Sequence, residues 1–237
     1  MKLLYVLLLV SIGLQAQVIT YEQTANVENQ LKNIKDKDTR KRVSAHLSKP
    51  IYYNLYYQNN TSLYREEGPS KSEKDNLFDI KANGSSESKK FTVGTNNQGI
   101  YIDHNKNELI EGTNLLGKSF LIKDKVPQID WKLTNETKKI ENFECKKATA
   151  DFEGTEITAW YTESIPLPLG PRYYKGLPGL IVLLSTKDLN FKAISIHKLN
   201  SNIELTIPNE GNITTLEEFK RIKEEKINAL KQGRFRN

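Results

Sequence analysis

Through most of the chain, apolar and polar residues alternate in short runs divided by turn-forming clusters, the period-2 pattern of half-buried strands. VITYEQTANVE, beginning at Val18, is rich in strand-favouring residues. IYYNLYYQNNTSLYREE reads as two tyrosine-rich strands, with Asn59 and Asn60 placed for a hairpin turn. QGIYIDHNKNELIEG, KSFLIKD and QIDWKLTNETKKIENFECKKATADFEGTEITAWYTE continue in the same style, and TNET and EGTE are expected as reversals. In the last of these strands Ile157, Ala159 and Tyr161 take one face, and Thr158, Trp160 and Thr162 the other. GLIVLLSTKDLNFKAISIHKL predicts a further hairpin turning at Thr186 to Asn190. In its second arm Phe191, Ala193, Ser195 and His197 alternate with Lys192, Ile194, Ile196 and Lys198.

Two segments change the period. NQLKNIKDKDTRKRVSAHLSKP carries Leu31, Ile34, Val43 and Leu47 at helical spacings and is stopped by Pro50. Its basic cluster Arg40, Lys41 and Arg42 is expected on a solvated helix face, with an anionic-surface patch as the alternative. TTLEEFKRIKEEKINALKQG predicts a C-terminal helix over about 213–233, with Thr214 as N-cap and Glu217 completing a capping box. Leu216, Phe219, Ile222, Ile227 and Leu230 give it one apolar stripe, and Gly233 ends it. The polar stretch GPSKSEKDNLFDIKANGSSESKK predicts a loop or flexible insertion. No βαβ rhythm appears. The fold expected is mainly β (α+β): a curved antiparallel sheet or half-barrel, with an early helix and a C-terminal helix packed on it. The half-barrel of periplasmic lipoprotein carriers is the analogy.

The N-terminus sets the expected compartment. MKLLYVLLLVSIGLQAQ places one basic residue, Lys2, before an apolar core and ends on the small Ala16. That layout predicts a secretory signal peptide over 1–16, with an uncleaved anchor helix as the rival reading. Residues 17–237 then form a single β-rich domain in the periplasm, on the periplasmic face of the outer membrane, or outside the cell. No later stretch is long and apolar enough to span a bilayer.

Composition changes this picture little. Lys and Arg outnumber Asp and Glu by 35 to 29, and losing Lys2 takes the formal +6 to +5. Charges of both signs are interspersed, so the excess reads as a solubilising surface, with acidic partners such as anionic lipid headgroups as the alternative. No nucleic-acid reading motif is present. The lone Cys145 excludes an intramolecular disulfide and, in FECKKA, lacks an activating neighbour, so it is expected as a buried structural residue.

Candidate chemistry is sparse. His46, His104 and His197 are scattered, without HExxH or ligand spacing, so no metal is expected. There is no nucleophile elbow, phosphate-binding loop or dinucleotide fingerprint, and no cofactor is expected. No pair of carboxylates is marked out, although a glycosidase could hold its two acids far apart in sequence. An enzyme is therefore the minority reading.

The least generic stretch is GPRYYKGLPGLIVLLS, from Gly170 to Ser185. In KGLPGL, Pro178 followed by Gly179 is the recipe for a type II turn, with Gly179 at positive φ. Leu180 to Leu184 predict a core strand apolar on both faces. The Pro-rich run upstream is a semi-rigid loop that either crosses the mouth of a sheet or presents Arg172, Tyr173 and Tyr174 to a ligand.

Gly176, Leu177, Pro178, Gly179, Leu180 and Ile181 spell the sextet of the GLPGLI family of exported Gram-negative proteins, which this chain resembles. The resemblance continues through Trp131-Lys132-Leu133-Thr134, Cys145-Lys146-Lys147-Ala148, Gly154, Ala159-Trp160-Tyr161-Thr162, Ile165-Pro166 and Gly170-Pro171. It implies a secreted β-rich protein and transfers no catalytic residue or cofactor, only a structural motif that includes Cys145.

Three functions are weighed. The first is a non-enzymatic envelope protein binding an apolar or lipid-like ligand, or an outer-membrane partner, with Trp131 and Trp160 as wall residues beside Arg172, Tyr173 and Tyr174. The second is a pocketless interaction module docking through the 166–174 loop. The third is an envelope hydrolase, which needs a polar cleft with convergent carboxylates or a histidine.

Overall fold

The computed structural model describes residues 16–27, 31–32, 34–66, 77–80, 89–92, 98–198 and 204–231. The expected signal segment lies outside them except for Ala16. Strand β1 (Gln17–Ala25) begins at the residue after the expected cut. Helix α1 (Lys37–Leu47) is capped by Asp36, whose carboxylate accepts the Thr39 amide at 2.7 Å. It ends before Pro50, and Val43 and Leu47 are half-buried.

The meander that follows comprises β2 (Ile51–Gln58), β3 (Thr61–Glu66), β6 (Gly99–Asp103), β7 (Glu108–Leu115) and β8 (Lys118–Lys125). Between β3 and β6, β4 (Leu77–Ile80) and β5 (Lys89–Thr92) form a separate two-stranded ladder. The polar insertion read as loop thus contains paired strands. The second half is β9 (Lys132–Ile140), β10 (Phe143–Phe152), β11 (Thr155–Thr162), β12 (Leu180–Ser185) and β13 (Leu189–Lys198). A short β14 (Asn212–Thr214) and helix α2 (Leu216–Lys231) complete it.

These strands form one twelve-stranded sheet in the order β14-β8-β7-β6-β3-β2-β1-β13-β12-β11-β10-β9. Every neighbouring pair is antiparallel except β14 on β8, so the sheet is mixed only at that edge. The first strand joins the two halves by pairing with β2 on one side and β13 on the other.

Turn chemistry explains most reversals. Asn59 and Asn60 adopt φ of 47° and 58°, the left-handed pair that a two-residue hairpin needs. Glu153 and Gly154 do the same at 57° and 70°. TNET makes no reversal. Thr134, Asn135 and Glu136 instead lie opposite Lys147 alone in a bulge, because Thr137 pairs with Lys146 and Leu133 with Ala148. The reversal falls at Glu141 (φ 50°), just beyond Ile140.

A second bulge re-phases β13. Thr20 faces Ser195 but Tyr21 faces Ala193, so the expected alternation inverts. Ile196 packs against the core, His197 is exposed, and Ile194 is left 46% exposed.

The core is a continuous face. Side by side across six strands stand Ile19, Leu55, Tyr64, Ile100, Glu111 and Ile122, all buried. Glu111 is the one charged member of that row. The β11–β12 connection, residues 163–179, folds against the same core as a plug. Its Leu167, Leu169, Tyr173, Tyr174 and Leu177 are buried, whereas Pro166, Pro168 and Pro178 are exposed. Backbone bonds lock it in place: Leu180 N donates to Ile165 O at 3.1 Å and Ile181 N to Leu169 O at 2.9 Å. Each fully buried side chain of this kind contributes about 1.5–3 kcal/mol.

Helix α2 begins one residue later than its sequence signals. Thr214 is drawn into β14, and Thr215 becomes the cap, accepting the Glu218 amide at 3.2 Å. Asp124 of β8 accepts the Leu216 amide at 3.0 Å. Phe219 meets Phe120 edge to face, with ring centroids 5.2 Å apart. Further along, Ile222 is half-buried and Ile227 is exposed. Among the described residues no helix is long and apolar enough to cross a membrane, which says nothing about strands.

Candidate functional site

The sextet makes a turn of a different kind from a type II turn. Gly179 does not have positive φ; that conformation belongs to Gly176, at 99°. Gly179 N donates to Leu177 O at 2.8 Å, closing a tight three-residue turn around Pro178. A Cβ on Gly179 would lie 2.0 Å from Thr162 O, so glycine is required here by close approach to the end of β11. Leu180, Ile181, Val182 and Leu184 are buried on both faces of β12.

This turn and the start of β9 enclose an open groove of about 480 Å³. Its walls are Ile129, Asp130, Trp131, Lys132 and Leu133 on one side and Gly176, Leu177 and Pro178 on the other. Trp131 is half-buried and fixed by its indole N–H, which donates to Lys175 O at 2.9 Å. Leu133 is 57% exposed, although its cross-strand partner Ala148 is buried. The groove is open to solvent, and its Trp131, Leu133, Leu177 and Pro178 lining offers apolar surface to an occupant.

Trp160 is elsewhere. It neighbours the buried Ala159 and so takes the opposite face of β11, aligned with Lys147. The Lys138 ammonium rests 4.0 Å above its ring centroid. The two tryptophans therefore do not share a wall. Cys145 is buried, and burial raises its thiol pKa, in keeping with the inert role expected.

Arg172, Tyr173 and Tyr174 turn inward. Tyr173 and Tyr174 stack at 5.2 Å and meet Phe152 at 6.2 and 5.8 Å. Arg172, held at φ 55°, donates from Nη2 to the Glu111 carboxylate at 3.2 Å. Burial opposes its charge, yet Glu111 and the surrounding tyrosines outweigh that and hold its pKa above the usual arginine range. On the facing strands Tyr53 and Tyr64 stack at 5.0 Å, nearly parallel, and burial pushes Tyr53 up to about 12. The Tyr64 hydroxyl is buried without a hydrogen-bond partner. The 166–174 loop thus offers Pro166 and Pro168 to solvent, while Pro171 and the loop's rings are buried.

Sequence reasoning missed Glu111. Its signal is present in ELIEG, where an acid occupies the phase otherwise held by Leu109. Also missed was the contact of Ser62 Oγ with His104 Nε2 at 2.9 Å. Burial, helped by Lys175, lowers His104 to about 4, so the ring is neutral at pH 7. Ser62 is only 2% exposed, which shields its hydroxyl from any substrate. The exposed His197 stands apart from this contact, and the His46 side chain lies outside the described residues. Among the described residues no cluster of three histidine, cysteine or acidic side chains could hold a metal.

Comparison with known proteins adds a short family-model match and a likeness of fold. A family model described as a protein of unknown function (Porph_ging) matches residues 152–183, which include β11, the plug and the sextet. No curated protein matches. The structure of PNGF-II, solved in two crystal forms, is similar, with TM-scores of 0.54 and 0.53 at 18% identity. The likeness covers 89% of this chain and 33% of that one, so this chain spans about a third of the PNGF-II chain. At that identity the likeness is one of fold.

Proposed function

We propose that this is an exported, non-enzymatic binding protein of the GLPGLI type, acting in a Gram-negative cell envelope by docking an apolar segment of a partner protein. The observation that supports this is the Trp131–Leu133–Pro178 groove. Leu167, Leu169, Tyr173, Tyr174 and Leu177 of the plug pack against the core cluster, while the groove keeps apolar surface at the rim of the sheet. Leu133 gains little from the fold at 57% exposure, which favours a role in contact with something else. Trp131 supplies a rigid aromatic wall, the residue type that most often anchors interfaces. The lipid-like ligand weighed from the sequence is retained as the competing occupant, and a hydrolase gains no support from the shielded Ser62–His104 contact.

The test is site-specific photo-cross-linking in a Gram-negative envelope, from a benzophenone side chain at position 133 and, as control, at position 227. Both positions are apolar and exposed. A discrete protein adduct from 133 alone, lost when Pro178→Asp is added, supports the proposal. A lipid mass at 133 transfers it to a lipid ligand. Equal labelling from both positions, or none, removes it.

A further inference from the structure

The groove opens onto β9, and β9 is a sheet edge: among the described residues it pairs only with β10. Both of its faces are largely exposed, so its outer row of amide and carbonyl groups is a template for another strand. The Thr134–Glu136 bulge interrupts that row, leaving Thr137–Ile140 as its longer regular stretch, and charge guards the rest. Lys132, Lys138 and Lys139 line the edge, while its one acid, Glu136, is neutralised by Lys147 at 2.7 Å. Lys132 and Lys138, which share one face of the strand, make no ion pair among the described residues, Lys138 resting instead over the Trp160 ring. A second copy of the chain would bring the same ammonium groups to the same edge and be repelled, as lysine-guarded edges are. A strand bearing acids would meet complementary charge.

Building on the groove reading, we propose that the occupant is an extended acidic segment of a partner protein, added to the sheet as a strand beside β9. Main-chain hydrogen bonds to β9 supply affinity, and one apolar side chain of the segment enters the groove at Leu133. Its acids, on the opposite face, meet Lys132 and Lys138, which pair with Thr149 and Cys145 on that face of β10. The alternation of a strand suits this arrangement, because neighbours on the added segment point to opposite faces.

The probe is a synthetic peptide of about nine residues alternating valine and glutamate, matched to the length of β9 at about 3.3 Å per residue. Its twin is N-methylated at alternate amides. Binding of the first peptide is expected to slow hydrogen exchange of β9 backbone amides at least about tenfold, whereas the twin leaves them unchanged. Replacing Lys132→Glu and Lys138→Glu together should weaken binding about tenfold, and raised salt should act in the same direction. If the peptide binds and Leu133→Glu abolishes it, yet β9 amides exchange as before or the twin binds equally, strand addition is overturned and the groove reading survives. If neither peptide binds, strand addition is likewise overturned, and the cross-linking at 133 decides the groove separately.

Discussion

The plug and helix α2 solve opposite problems. Residues 163–179 have almost no regular structure, yet they bury Leu167 and Leu177 as deeply as most strand residues of the core, and Tyr173 and Tyr174 only a little less. Helix α2 is regular over sixteen residues and shows an evident stripe, yet Leu216 and Phe219 are its members packed against the core. Order in the backbone and contribution to the core are therefore separable here. An irregular segment can sit inside because its polar groups are paired, one by one, with β12 and with itself. A helix satisfies its own backbone and can afford to stand partly in water.

The sharpest break of this contrast is at Gly179. Gly179→Ala places a methyl where Thr162 O already is, with backbone on both sides and no flexible neighbour to give way. The plug or the end of β11 must shift, and a loss of about 3 kcal/mol or more in urea unfolding is expected. A loss below about 1 kcal/mol would mean that the plug is adjustable and the close approach is incidental.

Next in size is the ion pair that joins the plug to the meander. Arg172→Met removes the partner of Glu111, leaving a carboxylate that is 5% exposed without its cation. The expected cost is about 2–3 kcal/mol, less than for a wholly enclosed pair because Arg172 keeps some contact with water. Combining it with Glu111→Gln should restore part of that loss, since the uncompensated charge disappears. Additive losses would show that Arg172 acts through packing instead.

How much of this was legible depends on what kind of force chose each feature. Asn59-Asn60 and Glu153-Gly154 are local: the residues at the turn set the turn, and both are readable. Gly179 looked equally local, but its reason is Thr162, seventeen positions away along the chain and brought close only by folding. Thr214 carries a proper cap signature, and pairing of β14 with β8 overrides it by one residue. Bulges are the hardest case. Nothing in NFKAISIH announces that Ile196 rather than His197 will take the core phase, because the slip is set by the partner strand. At the site, Trp131 and the sextet were readable as special, while their meeting across a groove was not. Glu111 was passed over because an acid in a strand is usually solvent-facing.

A third effect, of moderate size, tests the seat of the plug through pH. His104 has its pKa lowered from 6.5 to about 4 in the fold, by burial and then by Lys175 of the plug. The unfolded chain therefore binds the extra proton first. Stability is full above about pH 6.5 and declines as pH falls from there toward 4, by at most about 3 kcal/mol. His104→Gln should flatten that part of the stability–pH profile. Lys175→Met should flatten it only partly, since burial is the larger cause. An unchanged slope in His104→Gln would assign the acid sensitivity to other groups.

The smallest effects belong to the helix, and their inequality is what the comparison predicts. Phe219→Ala removes a half-buried ring from Phe120 and should cost about 1.5 kcal/mol, below the range for a fully buried phenylalanine. Ile227→Glu lies two turns further on at 37% exposure and should change stability by no more than about 0.5 kcal/mol. It also adds an acid to a helix end where acids are mildly unfavourable, so the small change should be a loss. Equal and large costs at both positions would mean that the whole stripe is covered in solution. The helix would then belong with the plug as core, and irregular and regular segments of this protein would be buried by the same rule.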